Sequence, residues 1–240
     1  MPDRVVIGGR FNGPPASGNG GYTCGVVAGA FDGGPVEVTL RVPPPLERPL
    51  ALERRDGGAV LLDGDVLVAE ARGLDAVDVE PPAPVSPAEA ARAAARHPWR
   101  DTHPYPGCFV CGPARAPGDG LRIFCGPTDD GSRFAGPWTP AADLAGPDGA
   151  VAREFVWAAL DCPSGIACLA FDGVEVMLLG RMAAELRAPV TPGVEHVVQA
   201  WTLGRERRKL FSASALHDAD GRVLAVARAV WIEMPPDARP

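Results

Sequence analysis

The sequence predicts an α+β protein of two tandem units, each a buried helix followed by four strands able to wrap it. Three observations carry this. The segment 154–170 is apolar nearly all round, as a buried helix must be, yet it holds one carboxylate, Asp161, in its middle. A small-residue segment at 20–31 reads as a second, earlier helix. Each is followed by four strand-like runs, and short sequence echoes recur in the same order after both.

Val5-Val6-Ile7 opens the chain as a short strand, and glycine-punctuated residues lead into the helix at 20–31. That helix has weak intrinsic propensity, so packing must hold it. Strands are expected at 36–42, 50–55, 59–62 and 66–71, with Asp63-Gly64 as a tight turn. The proline-rich stretch 81–87 is a linker. It runs into a helix at 86–96 with Ser86 as N-cap, Pro87 at the first position and Glu89 in the first turn. Further strands are expected at 121–125 and 132–138, ahead of the helix at 154–170. Pro163 should break that helix near Asp161. Asp161 is then either the N-cap of a second helical piece or a functional group whose burial costs several kcal/mol unless satisfied. The last four strands fall at 176–186, 196–203, 209–216 and 223–232. Among the echoes, Leu40-Arg41-Val42-Pro43 returns as Leu186-Arg187-Ala188-Pro189, and the run from Leu61 to Arg72 returns from Leu216 to Arg228. The expected division is a first unit at 1–80, a linker with a short helix at 81–107, and a second unit at 108–240.

Composition excludes several function classes. A formal charge of -7 argues against nucleic acid, which needs a basic footprint. No apolar stretch reaches the roughly 18 residues of a membrane span. Residues 1–7 do not resemble a signal peptide, so a cytoplasmic protein with its six cysteines reduced is expected.

The chain resembles the hotdog-fold superfamily, in which a curled antiparallel sheet wraps a long helix. Leu186 to Glu195, with the strands after it and Asp220-Gly221-Arg222-Val223-Leu224-Ala225, is similar to the sheet of small acyl-CoA thioesterases. Leu160-Asp161-Cys162-Pro163-Ser164-Gly165-Ile166-Ala167 is similar to the helix that holds the catalytic acid in the phenylacetyl-CoA thioesterase type. Cys108-Phe109-Val110-Cys111-Gly112-Pro113, with Gly120-Leu121-Arg122-Ile123, looks like an entry motif of some of these proteins. The resemblance implies a double hotdog and acyl-CoA thioesterase activity, with no cofactor beyond the coenzyme A of the substrate. Exposed sheet edges would also allow a homodimer.

In such enzymes the acid of one helix faces the N-terminus of the partner helix. Asn19-Gly20-Gly21 stands where the family often has His-Gly-Gly, and Asp161 supplies the acid. Nine residues on from Asn19 is Ala28, and an alternative register puts Gly21 opposite Asp161, so the first helix carries no acid of its own. Nine residues before Asp161 is Ala152, with no glycine pair. The implied site is therefore single and composite: Asp161 as base or nucleophile, and the Gly20 and Gly21 amides with Asn19 as oxyanion holders. Asn19 alone can also be an N-cap, and the glycines can simply permit close packing.

Other residues have competing readings. His103, Cys108 and Cys111 suit zinc only if Cys125 or His97 completes the set, and a packed turn with two buried thiols and no metal is expected. Arg205, Arg207, Arg208 and Lys209 form the densest basic run, either solvated hairpin residues or contacts to coenzyme A phosphates. Trp157, Trp201 and Trp231 are expected in the core. The rival functions are a non-catalytic acyl-thioester-binding protein and a hydratase or dehydratase; the absence of histidine from both helices counts against the latter.

Overall fold

The structure, a computed structural model, describes residues 3–235. Its strands are β1 (Asp3–Val6), β2 (Val36–Leu40), β3 (Pro49–Arg55), β4 (Gly58–Asp63), β5 (Val66–Gly73), β6 (Gly126–Pro127), β7 (Phe134–Trp138), β8 (Met177–Leu186), β9 (His196–Glu206), β10 (Lys209–His217) and β11 (Val223–Glu233). Its α-helices are α1 (Gly20–Ala28), α2 (Pro87–Ala94) and α3 (Arg153–Ala167). All strands join one antiparallel sheet in the order β1-β3-β4-β5-β2-β8-β11-β10-β9-β7-β6. Outward from the β2–β8 junction, the two sides read β5, β4, β3 and β11, β10, β9. The sequence echoes fall on topologically equivalent strands, β2 with β8 and the β4–β5 hairpin with β10–β11. Both sheet edges are short, and β6 contains Pro127, so neither offers a long ladder to a second chain. No helix among the described residues is long and apolar enough to cross a membrane.

Helices α1 and α3 lie against each other on the sheet, and their side chains form most of the main core with the inward faces of the strands. Three sequence expectations are corrected. Helix α1 ends at Ala28, because Gly29 caps it and Gly33 and Gly34 then take positive φ (138° and 75°) to turn into β2. Residues 121–125 are not a strand: the Leu121 and Ile123 amides bond the Phe109 and Val110 carbonyls, which draws this segment away from the sheet. Pro163 lies inside α3 without breaking it. The hydroxyls of Ser214 and Ser164 donate to the Leu160 and Asp161 carbonyls at 2.7 Å, supplying donors where proline disturbs the ladder.

Buried His196 and His217 sit near the ends of β9 and β10 remote from the Lys209 end of the hairpin. Burial pushes both imidazoles below their usual value, against the opposing pull of Asp218. A lowered histidine value means that the unfolded chain binds more protons, so stability is full above about pH 6.5 and falls as pH drops below it. Between about pH 7 and about pH 5 the urea midpoint of the wild type is expected to fall relative to that of His217→Gln; an unchanged difference between the two would remove His217 from the account.

Candidate active site

The site exists because α1 and α3 cross at very short range. A Cβ on Gly25 would lie 2.5 Å from Glu154 Cα, and one on Gly21 would lie 2.3 Å from Asp161 Cβ and 2.8 Å from the Trp157 carbonyl. Glycines four apart thus open one face of α1 to the backbone of α3. That approach brings Asp161, 2% exposed, to the N-terminus of α1.

Asp161 Oδ2 accepts the Gly21 N–H at 2.9 Å and Asn19 Nδ2 at 3.0 Å. Its Oδ1 is buried with no partner among the described residues. Asp161 is not an N-cap: α3 is already under way from Arg153, and Ala152 holds the cap position. Asn19 does two things at once, since its Oδ1 accepts the Tyr22 N–H at 2.9 Å and caps α1. Burial raises the Asp161 carboxyl to about 7, the nearby Cys108 adds to the rise, and the Gly21 and Asn19 hydrogen bonds oppose it. The Gly20 N–H, at the positive end of the helix, has no acceptor among the described residues.

These groups border a mostly apolar cavity of about 270 Å³. Asn19, Gly20 and Asp161 form one wall, Leu179, Trp231 and Ile232 another, and Trp99, His103 and Tyr105 come from the segment after α2. Trp231 therefore lines the cavity instead of lying wholly in the core, its indole N–H held by Ser164 Oγ at 2.9 Å, whereas Trp157 is a core residue. Among the cavity residues, the Tyr105 hydroxyl is the second buried polar atom with no partner among the described residues. Nothing in the sequence singled out Tyr105, because it lies in a proline-rich connection with no periodicity.

The thiols fall differently from expectation. Cys108, Cys111 and Cys162 place their sulfurs within 4.8 Å of one another, and His103 Nε2 is 3.2 Å from Cys111 Sγ. The residue that joins the pair is Cys162 from α3, not Cys125 or His97, which are held together by a 2.7 Å contact between His97 Nδ1 and the Cys125 carbonyl. Donation from Cys111 and Cys162 draws the Cys108 thiol well below its usual value, while those two thiols are raised.

Arg205, Arg207, Arg208 and Lys209 do not line the cavity. Arg205 bonds Glu233 and the Asp172 carbonyl, and Arg208 bonds the Glu233 carbonyl. Arg207 and Lys209 form no ion pair among the described residues. Glu233 lies between the cavity residues Ile232 and Met234, so the basic turn flanks that end of the cavity. At the place equivalent to Asp161, Ala28 meets the start of α3, where Arg153 Nη1 donates to the Ala28 carbonyl at 2.9 Å.

Comparison with solved structures gives the same architecture over nearly the whole chain. A candidate thioesterase from Novosphingobium aromaticivorans superposes with a TM-score of 0.66, at 12% identity, over 97% of this chain and 95% of that one. This is a hotdog-type fold. A candidate thioesterase II from Thermobifida fusca gives 0.60 at 17% identity, over 97% and 92% of the two chains. The tesB protein of Mycobacterium avium subspecies paratuberculosis gives 0.60 at 12%, over 91% and 88%. At these identities the hotdog likeness is one of fold. No protein-family model matches the sequence, and no curated protein matches it.

Proposed function

We propose that the protein hydrolyses acyl thioesters, with acyl-CoA as the substrate class, at one composite site between the halves of a double hotdog. The two-unit division at 1–80 and 108–240, joined by the linker 81–107, is supported by the matching strand order on either side of the β2–β8 junction. The observation that carries the function is the state of Asp161: one oxygen fixed by Gly21 and Asn19, the other bare, at the wall of an apolar cavity beside the free Gly20 N–H.

In this reading Asp161 acts as general base. Water attacks the thioester carbonyl carbon while Asp161 takes its proton, and the Gly20 N–H at the helix terminus holds the oxyanion. The C–S bond then breaks, the acid is released, and the leaving thiolate recovers the proton. Gly21 orients the carboxylate and does not contact the substrate, a narrower role than the sequence implied for it. The hydroxyl of Tyr105 is the polar group available to the bound acyl thioester, and Arg207 and Lys209 are the cations available to the phosphates of coenzyme A.

One observation favours a second reading. With the Gly21 amide engaged by Asp161, a single amide is left for the oxyanion, which suits a protein that binds acyl thioesters without cleaving them. Thiol release across a panel of acyl-CoA chain lengths separates the two: release supports the hydrolase, and saturable binding without release supports the binder. Tyr105→Phe is expected to lower kcat/KM roughly tenfold, the worth of one hydrogen bond. Unchanged kcat/KM would remove Tyr105 from substrate contact.

A further inference from the structure

Where the cavity meets α3, three sulfurs converge that the hydrolytic reading does not use. Two belong to the Cys-x-x-Cys-Gly loop at Cys108, Cys111 and Gly112. The loop opens from a turn in which the Cys108 N–H donates to the Tyr105 carbonyl at 2.9 Å. The Gly112 N–H closes it on the Cys108 carbonyl at 2.9 Å, and a Cβ on Gly112 would lie 2.4 Å from that carbonyl oxygen. Both sulfurs are thereby presented on one side of the loop. The third comes from Cys162, whose Sγ is 3.7 Å from Cys108 Sγ. A tetrahedral ion with metal–sulfur bonds of about 2.3 Å sets its sulfurs about 3.8 Å apart. The triangle, no wider than 4.8 Å on any side, is close to that size.

Two of the three sulfurs also face an N–H donor. Cys162 faces Asn19 Nδ2 at 3.7 Å. Cys111 faces His103 Nε2 at 3.2 Å. His103 Nδ1 accepts the Tyr105 N–H at 2.9 Å, so the imidazole proton resides on Nε2 and is directed at sulfur. His103 is therefore a donor to the cluster and not a fourth ligand. Three buried thiols at this spacing, two of them facing N–H donors, match the sulfur triangle of a metal site, and as three adjacent thiolates they would require a cation.

We propose that Cys108, Cys111 and Cys162 bind one zinc ion as thiolates, with its fourth position open to the cavity. All three residues border the cavity, so a water or a donor atom of the bound molecule can complete the tetrahedron. Zinc enters as the divalent ion, and the three thiols lose their protons to solvent. The ion ties the segment carrying Trp99, His103 and Tyr105 to α3. This inference does not depend on hydrolysis, and its test does not read thiol release.

The test uses the full chain purified under reducing conditions, with metal content measured by elemental mass spectrometry before and after incubation with zinc chloride and desalting. The expected result is one zinc per chain. Cys162→Ser should weaken zinc by roughly 100-fold in competition with a chromophoric chelator. His103→Gln should still bind one equivalent, about tenfold more weakly, as loss of a donor to a ligand does. The cobalt-loaded protein should show thiolate-to-cobalt charge transfer and a d–d spectrum that changes on adding azide. Absence of zinc from the wild type after incubation, copper in its place, a disulfide within the triad, or wild-type zinc affinity in Cys162→Ser would each overturn the proposal. An unaltered cobalt spectrum with azide would overturn the open fourth position. If Cys162→Ser does not fold, the wild-type stoichiometry and the cobalt spectrum decide.

Discussion

Asp161→Asn is expected to lower thioester turnover by about 10²- to 10⁴-fold, the usual worth of a positioned general base. The substitution is chosen because it changes so little else. Asparagine keeps an oxygen that can accept the Gly21 N–H, as Asp161 Oδ2 does now. The side chain retains its volume between α1 and α3, so the cavity is preserved. Acyl-CoA binding should persist, and the thermal midpoint should be equal or higher, because an amide is less costly to bury than a carboxylate. Thiol release and calorimetry on the same preparation check both parts. Wild-type turnover in the variant would sink the assignment of Asp161.

The second large effect is structural. Gly25→Ala would set a methyl 2.5 Å from Glu154 Cα and 2.9 Å from Trp157 Cβ. The backbone of α3 cannot rotate out of the way as a flexible side chain could, so the helices must separate. The expected loss is about 3 kcal/mol, at the upper end for overpacking a core. Gly107→Ala is the control: nothing lies within 4 Å of its Cβ position, and its effect should stay within about 0.5 kcal/mol. Urea denaturation of the two variants measures the difference, and equal midpoints would refute the close crossing. A Gly25→Ala chain that folds should also lose turnover, because moving α1 carries Asn19, Gly20 and Gly21 away from Asp161.

Much of the framework is legible in the sequence for physical reasons. Alternation and turn residues mark the eight long strands, and the capping signals of Ser86, Pro87 and Glu89 mark α2, because these are local effects. Asp161 stands out because a lone carboxylate in an apolar helix must be compensated. Less visible is what depends on orientation. Since α3 is buried all round, its composition does not reveal that Cys162 faces Cys108 or that Trp231 lies over Ser164. Pro163 misleads, because the hydroxyls that relieve it include Ser214, which is distant in sequence. Residues 121–125 mislead for the opposite reason: their pattern suits a strand, but their donors are taken by the neighbouring cysteine loop. Tyr105 reaches the cavity through a connection with no pattern to read.

The direct β2–β8 pairing has a consequence for how such a protein can change. It joins the two halves of the sheet within one covalent chain, so no residue is forced to appear twice. In a symmetric pair of identical subunits, any substitution at one helix start is copied at the other. Here Gly20 and Arg153 occupy equivalent first positions of α1 and α3 and have diverged completely: one leaves a bare amide at a cavity, the other supplies a guanidinium that secures Ala28. On the reading proposed above, one end of the crossing serves chemistry while the other is an anchor, and each can be altered without a compromise at its counterpart.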